Sequence, residues 1–153
     1  MPSFTVASAQ AIEVHPGLKF AIDGEDFVHF QSGDIYMPEH EVHVFYDSQR
    51  LSENYNPGCA PFGPSTKVTL NVKYDDSTTN KPDYIEDLVA LDCLKCGQDC
   101  QFIMDYVKVG DFTTPEKCNG SDQLQIWLTG TDDMDICEDD NSGKKYTFPM
   151  YCQ

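Results

Sequence analysis

The chain has 153 residues, enough for one domain that folds on apolar burial alone, and a single β domain over residues 1–153 is expected because neither a repeat nor a linker interrupts it. It carries 26 acidic and 10 basic residues, a formal net charge of −16. That charge disfavours nucleic acid and anionic membrane surfaces, and it favours cationic partners and a soluble monomer. No apolar run approaches the length of a membrane-spanning helix, so no membrane insertion is expected.

Apolar and polar residues alternate along much of the chain, in segments rich in Val, Ile, Phe and Tyr that suit a half-buried pleated surface. In Leu18, Phe20 and Ile22, for example, every second residue is apolar. Tight-turn signals at 15–17, 23–24 and 32–34 predict hairpins in the first third. The predicted strands span residues 4–9, 11–15, 18–23, 27–31, 41–46, 67–74, 88–93, 101–109, 124–129 and 145–151.

Helix content is predicted to be low, with at most one short helix. The best candidate is 82–90, where Asp83 could cap the segment, although its last residues suit a strand equally well. Long loops in a compact domain commonly bear function or are mobile. Four irregular stretches are predicted, at 52–66, 75–87, 111–122 and 130–144.

So many strands avoid exposed edges only by forming two packed sheets or a barrel. Uneven loop lengths suit connections that switch between sheets. The sequence therefore predicts an all-β fold, an antiparallel two-sheet β-sandwich, with a barrel as the alternative.

The cysteines are spread over the last two thirds of the chain without the paired spacing of a zinc cluster, which favours disulfides and an oxidising compartment. An odd number leaves one thiol free, joined to another chain, or modified. The seven disulfide candidates are Cys59, Cys93, Cys96, Cys100, Cys118, Cys137 and Cys152. The chain begins Met1-Pro2 without a signal segment, so we interpret it as the mature form of a secreted, extracellular protein with an added start methionine.

Cys93, Cys96 and Cys100 form the densest cysteine cluster. Zinc sites usually need a fourth ligand and two Cys-x-x-Cys pairs, and a redox Cys-x-x-Cys normally precedes a helix. Here a strand precedes the motif and Gly97 follows it, so a disulfide-bonded hairpin is expected, with neither metal nor redox activity.

The segment from His40 to His43 looks like half of a metalloprotease motif. That motif requires two histidines four apart on one helical face, whereas these are three apart in a predicted strand and would point to opposite faces. His15 and His29 are isolated in the sequence and are predicted to be ordinary surface or hydrogen-bonded residues. No metal site is predicted from the histidines.

Acidic residues crowd the stretch 132–140. Hard cations bind several oxygens, which makes calcium worth testing, but the EF-hand template fails because Glu138 and Lys144 stand where glycine and glutamate are required. A solvated acidic loop is the preferred interpretation. The acidic residues are Asp132, Asp133, Asp135, Glu138, Asp139 and Asp140.

No catalytic residue and no cofactor are predicted, because the chain lacks a Gly-x-Ser-x-Gly motif and its acidic residues are too many to single out a pair. Asn119 begins an Asn-Gly-Ser triplet, a glycosylation candidate in a surface loop. Trp127, the only tryptophan, lies in an apolar strand and is predicted to be in the core.

In size, acidic charge, β pattern and the spread of its cysteines from Cys93 to Cys152, the chain resembles the small secreted cysteine-containing proteins of filamentous fungi, which include effectors and elicitors recognised by plant hosts. That resemblance implies a disulfide-bonded β-sandwich or barrel without enzymatic activity. The resulting prediction is a secreted interaction protein, an effector or elicitor that triggers or modulates plant immunity by contacting a host protein or cell-surface glycan through its long loops.

Two other functions stay open. One is a carbohydrate- or calcium-binding lectin-like module, in which the acidic loop would hold the ion and Tyr55, Phe62 and Tyr84 would stack on sugars. The other is a small hydrolase or inhibitor whose site has no recognisable motif.

Overall fold

The computed structural model describes residues 15–52, 54–56, 59, 66–91, 106–132 and 135–153. These residues form strands that assemble into two sheets. The strands are β1 (Gly17–Asp23), β2 (Asp26–Ser32), β3 (Ile35–Met37), β4 (Glu41–Asp47), β5 (Lys67–Lys73), β6 (Tyr84–Asp87), β7 (Val89–Ala90), β8 (Val107–Thr113), β9 (Gln123–Asp132), β10 (Asp135–Asp139) and β11 (Tyr146–Cys152). A 3-10 helix, Ser48–Leu51, follows β4 directly.

The first sheet has the strand order β2-β1-β4-β8-β7. A tight turn joins β1 to β2, and Gly24 takes the left-handed φ of +65° that this turn requires. β1 lies parallel to β4, with Gly17 opposite His43. Because a parallel pair needs a crossover, the chain passes through β3 in the second sheet before it returns as β4.

The second sheet has the order β3-β11-β9-β5-β6. Its central strand, β9, pairs with β5 along one edge. Along the other edge β11 pairs with residues 123–126, and β10 pairs with residues 128–132. The turn between β10 and β11 therefore lies at the point where two strands share one edge.

The core fills the space between the sheets, and it is built from the inward residues of each alternating strand. Val42, Val44 and Tyr46 of β4 point inward and are fully buried, while Glu41 and His43 lie on the outer face. Leu124, Ile126 and Leu128 of β9 join them from the second sheet. Burial of these side chains supplies the main stabilisation of the fold, at roughly 25 cal/mol per Å² of apolar surface.

The prediction of an all-β sandwich is confirmed. Strands predicted at 18–23, 27–31, 41–46, 67–74, 124–129 and 145–151 correspond to β1, β2, β4, β5, β9 and β11. Among the described strands, each sheet contains one parallel pair, β1 with β4 and β3 with β11, so both sheets are mixed rather than purely antiparallel as predicted. The predicted strands at 4–9 and 11–15 lie almost entirely outside the described residues.

Some predicted elements are wrong. The helix candidate at 82–90 consists of β6 and β7, because its backbone pairs with β5 and β8 and this tertiary pairing outweighs local propensity. The predicted loop at 130–144 contains the end of β9 and the whole of β10. The strand predicted at 101–109 lies partly outside the described residues, and the described strand β8 continues to Thr113.

Among the described residues, two disulfides join distant parts of the chain, Cys59 to Cys137 and Cys118 to Cys152. The cluster of Cys93, Cys96 and Cys100 lies outside the described residues. Trp127 is buried as predicted, but it alternates with Ile126 and Leu128 and so faces away from the core between the sheets. In the described ranges no helix is long and apolar enough to cross a membrane.

Candidate functional site

Arg50, the only arginine of the chain, is fully buried beneath a surface cleft. The 3-10 helix places it there, and the Asp47 carboxylate caps that helix by accepting the Gln49 N–H at 3.0 Å. The Arg50 guanidinium donates to the carbonyl oxygens of Ala21 at 3.1 Å and Val28 at 3.0 Å. A buried charge requires such partners, because an unpaired one costs several kcal/mol.

Asp139 supplies the opposite charge. Its Oδ2 accepts from Arg50 Nε at 2.8 Å and from the Tyr46 hydroxyl at 2.7 Å. Its Oδ1 accepts from the Tyr146 hydroxyl at 2.5 Å, and that hydroxyl in turn accepts from Arg50 Nη2 at 2.5 Å. Both carboxylate oxygens are therefore occupied by internal donors.

The electrostatics of these four residues favour one protonation state. Burial first, and the Asp139 charge second, raise the pKa of the Tyr46 and Tyr146 hydroxyls, which keeps both of them as donors to the carboxylate. The Phe27 ring covers the guanidinium at 4.4 Å. We call Arg50, Asp139, Tyr46 and Tyr146 the buried network.

A cleft of about 410 Å³ opens above the buried network. This volume suits a small ligand or one or two sugar rings of a larger one. Its lining combines aromatic faces with amide, hydroxyl and carboxylate groups, which is a mixed polar and aromatic surface. The lining residues are Phe27, His29, Tyr55, Asn56, Glu138, Asp139, Asp140, Asn141, Ser142 and Tyr146.

Two segments that are distant in sequence form opposite sides of the cleft, and covalent and polar bonds join them. The Cys59–Cys137 disulfide links the segment after the 3-10 helix to β10. Nearby, Asn56 Nδ2 donates to the carbonyl oxygen of Glu138 at 3.0 Å. The side chains of Tyr55 and Glu138 are exposed between these links. The disulfide and the hydrogen bond therefore fix the relative position of these two segments before any ligand binds.

The turn between β10 and β11 forms one rim. Asp140 Oδ1 accepts the Gly143 N–H at 3.0 Å, and Asn141 Nδ2 donates to the Lys145 carbonyl at 3.1 Å. Asn141 and Ser142 take left-handed φ angles of 55° and 57°. These bonds fix a strained turn whose exposed side chains face the cleft.

His29 lines the cleft beside the buried network. Its ring makes edge contacts with Tyr146 and Phe148, at centroid distances of 5.4 and 5.7 Å. Burial lowers the pKa of this imidazole, and the Arg50 charge lowers it further against a weaker opposing effect of Asp139. The ring is thus favoured in its neutral form, which offers one hydrogen-bond donor and one acceptor to a ligand.

The structure separates the acidic residues that the sequence grouped into one loop. Asp139 is buried in the network, Asp140 holds the turn, and Glu138 is exposed in the cleft lining. Asp132 is at the end of β9, and Asp133 lies outside the described residues. Two of the three carboxylates at the cleft thus accept internal hydrogen bonds, which leaves fewer oxygens there for a hard cation.

The three aromatic residues predicted to stack on sugars have different positions. Tyr55 lines the cleft, Tyr84 belongs to β6 where its hydroxyl donates to Glu86, and Phe62 lies outside the described residues. Asn119 is exposed as predicted, and its amide donates to the Tyr74 carbonyl at 2.7 Å. Glycosylation of Asn119 stays a prediction.

The histidines differ from expectation in one respect. His40 and His43 do not converge, since His40 Nδ1 lies 2.7 Å from the Pro38 carbonyl oxygen whereas His43 is on the outer face of β4. His15, predicted to be isolated, lies next to Glu41 and His43. No local sequence signal marks this cluster, because it depends on the parallel register of β1 and β4, which brings residues 15 and 41 side by side.

Sequence reasoning also missed the buried network itself. Arg50 stands alone as an arginine between two predicted elements, and Asp139 is hidden among other acidic residues. The alternation of Cys137 and Asp139 toward the core, with Ile136 and Glu138 outward, is the pattern that could have separated Asp139 from its neighbours.

Comparisons with protein-family models, curated proteins and solved structures return no match.

Proposed function

We propose that this chain is a secreted, non-enzymatic interaction protein of the effector or elicitor kind, and that it recognises a host cell-surface glycan in the cleft above Asp139. The observation that carries the proposal is the cleft's construction. A disulfide and an amide hydrogen bond join the segment after the 3-10 helix to β10 beside a satisfied buried network, which is the preorganised arrangement that binding sites use.

A glycan fits the chemistry of the lining. Sugar rings present apolar C–H faces that pack on aromatic rings, and the exposed face of Tyr55 is placed for such packing. Sugar hydroxyls both donate and accept, and Asn141, Ser142 and the neutral His29 ring offer both kinds of partner. The net charge of −16 disfavours polyanionic glycans, and the hydroxyl and amide partners of the lining suit uncharged sugar hydroxyls, so the proposed ligand is a neutral sugar.

A non-enzymatic role is supported by how the carboxylates are used. General acid-base catalysis needs a carboxyl group that reaches the substrate. Asp139 accepts on both oxygens from the buried network, and Asp140 accepts from the turn backbone. Among the described residues that line the cleft, Glu138 is thus the one exposed carboxylate, without a second exposed carboxylate there to complete an acid–base pair. Extracellular function is supported by the two disulfides, which persist in oxidising compartments.

The test is a glycan array probed with the labelled chain, followed by calorimetry on any sugar that binds. Tyr55→Ala is the cleft variant, and Tyr151→Ala is its matched control, because Tyr151 is also an exposed tyrosine but lies at the end of β11 beside Tyr36. Tyr55→Ala should weaken binding about tenfold, the equivalent of ~1.4 kcal/mol of lost aromatic packing. Equal losses in both variants, or no glycan bound, would contradict the proposal.

The same variants address the elicitor role. Infiltration of plant leaves with wild type and Tyr151→Ala should give the same defence response, whereas Tyr55→Ala should give a reduced one. Glu138→Gln separates a sugar from a basic protein surface, because only the latter needs the Glu138 charge. If Glu138→Gln and salt both abolish the response while glycan binding persists, the partner is a cationic protein instead.

A further inference from the structure

Three potential metal ligands converge on the outer face of the first sheet. Glu41 and His43 are two residues apart in β4, so their side chains share one face. Gly17 pairs with His43 in parallel register, which places His15 beside Glu41. The pairing of β1 with β4 thus brings His15 next to Glu41 and His43, although they are more than 25 residues apart in sequence.

The spacing of the three groups suits a single metal ion. Glu41 places its two carboxylate oxygens between the imidazoles, with Oε2 3.4 Å from His15 Nε2 and Oε1 3.5 Å from His43 Nε2. One ligand atom from each residue lies within 4.8 Å of the others. Bonds of about 2.0–2.1 Å to a tetrahedral zinc ion place neighbouring ligand atoms roughly 3.3 Å apart. The three ligand atoms, already within 4.8 Å of one another, therefore need to approach by at most about 1.5 Å.

The surroundings of His43 give a second argument. Its Nε2 is shielded from solvent, and within the described residues it has no hydrogen-bond partner. The 3.5 Å separation from Glu41 is too long for a good hydrogen bond. A buried polar atom in this state has lost its hydration without gaining a partner, and a metal bond would remove that penalty.

We propose that His15, Glu41 and His43 bind one divalent transition-metal ion, with Zn²⁺ as the preferred occupant. Two imidazoles and a carboxylate are borderline ligands that suit Zn²⁺ or Cu²⁺ better than Ca²⁺. Three protein ligands leave a fourth coordination position. The side chains are 30–41% exposed, which gives small molecules access to the cluster although the His43 Nε2 atom itself is shielded. Water or a group of a bound partner would fill the fourth position.

This site is independent of the proposed glycan cleft. The metal ligands lie near the start of β1, whereas the buried network takes the carbonyl of Ala21 near the end of that strand. About 13 Å along β1 separates Gly17 from Ala21. Failure of either proposal leaves the other unaffected.

The direct test is calorimetric titration of ZnCl₂ into the tag-free full chain after dialysis against EDTA. One equivalent of zinc should bind per chain. His15→Gln, Glu41→Gln and His43→Gln should each weaken binding by at least about tenfold, since even loss of a residue that only orients a ligand costs that much. His40→Gln is the matched control, because its ring lies on the Pro38 carbonyl outside the cluster, and it should bind like wild type.

Cu²⁺ electron paramagnetic resonance supplies a readout that a structural role would not change. Wild type should show superhyperfine coupling to two imidazole nitrogens, and His15→Gln and His43→Gln should each show one. Circular dichroism in EDTA establishes that each variant is folded. The proposal is overturned if zinc binding survives all three ligand substitutions, if His40→Gln loses as much affinity, or if a hundredfold excess of Ca²⁺ displaces the zinc.

Discussion

The chain places two clusters of ionisable side chains near opposite ends of β1, and they use their charges differently. In the buried network, the Arg50 guanidinium and both Asp139 oxygens are satisfied by internal partners. In the outer cluster, Glu41 lies between His15 and His43 at distances longer than good hydrogen bonds. The first cluster is therefore committed to stability, whereas in the second the His43 Nε2 atom has no hydrogen-bond partner among the described residues.

Alternation along one strand produces this division. Tyr46 of β4 points into the core and donates to Asp139, while His43 of the same strand points outward. A shift of register by one residue would exchange the two faces. Substitutions in the buried network should therefore destabilise the fold more than substitutions on the outer face of β4.

Asp139→Ala should have the largest effect. It leaves the buried Arg50 guanidinium without an opposite charge, which costs about 3–5 kcal/mol of unfolding free energy. Urea unfolding monitored by tryptophan fluorescence would measure it. Glu138→Ala is the control on the same strand, where the side chain is exposed and a change within about 0.5 kcal/mol is expected. A loss below about 1 kcal/mol for Asp139→Ala would show that the network does not stabilise the fold.

The disulfides should separate stability from binding. The double variants Cys59→Ala/Cys137→Ala and Cys118→Ala/Cys152→Ala should each lose about 2–4 kcal/mol. The first should lose about 0.7 kcal/mol more, because its bond spans 78 residues and the other spans 34. Unfolding in denaturant checks both values.

Only the first disulfide joins the two sides of the cleft. Glycan affinity measured by calorimetry should therefore fall in Cys59→Ala/Cys137→Ala and stay near wild type in Cys118→Ala/Cys152→Ala, under conditions where both are folded. Equal affinities would mean that the cleft does not need its covalent clamp.

The sandwich was predictable because several of its long strands carry apolar residues at every second position, as Val68, Leu70 and Val72 do in β5. Strands β3 and β7 are too short for any period to emerge, with three and two residues. β10 is hidden by composition, since its acidic residues suggest a loop while Cys137 and Asp139 alternate inward. Propensity fails at these places because pairing with a neighbouring strand, rather than local sequence, decides the conformation.

The sites were less predictable than the fold. Tyr55 and the acidic stretch were both identified as candidates, but their meeting in one cleft depends on the Cys59–Cys137 bond, and the sequence does not give disulfide connectivity. The convergence of His15 with His43 depends on the parallel pairing of β1 and β4. Both cases need long-range contacts that no local motif records.

His29 should make the stability of the fold depend on pH, with a smaller effect than the substitutions above. Its folded-state pKa lies below the ordinary value of 6.5, chiefly because of burial, so the unfolded chain binds more protons as pH falls through that range. The contribution of His29 to the free energy of unfolding is therefore fully present above about pH 6.5 and is lost as the pH falls below that value. Urea midpoints measured from about pH 8 to pH 5 should decline less in His29→Gln than in wild type. High salt screens the Arg50 charge but does not change the burial of His29, so most of the pH dependence of stability should persist in high salt. If His29→Gln loses stability with falling pH as steeply as wild type does, the pH dependence belongs to other groups.

The smallest effect is expected on the outer face, and there it is the contrast with Asp139 that matters. In EDTA, Glu41→Gln and His43→Gln should each change the unfolding free energy by less than about 1 kcal/mol, because partly exposed ion pairs contribute little. With zinc at a hundred times its dissociation constant, wild type should gain about 2.7 kcal/mol, and both variants should gain much less. Thermal melts with and without zinc measure this difference. A large loss without metal would place the outer cluster in the same structural role as the buried network, because its charges would then already be satisfied within the fold.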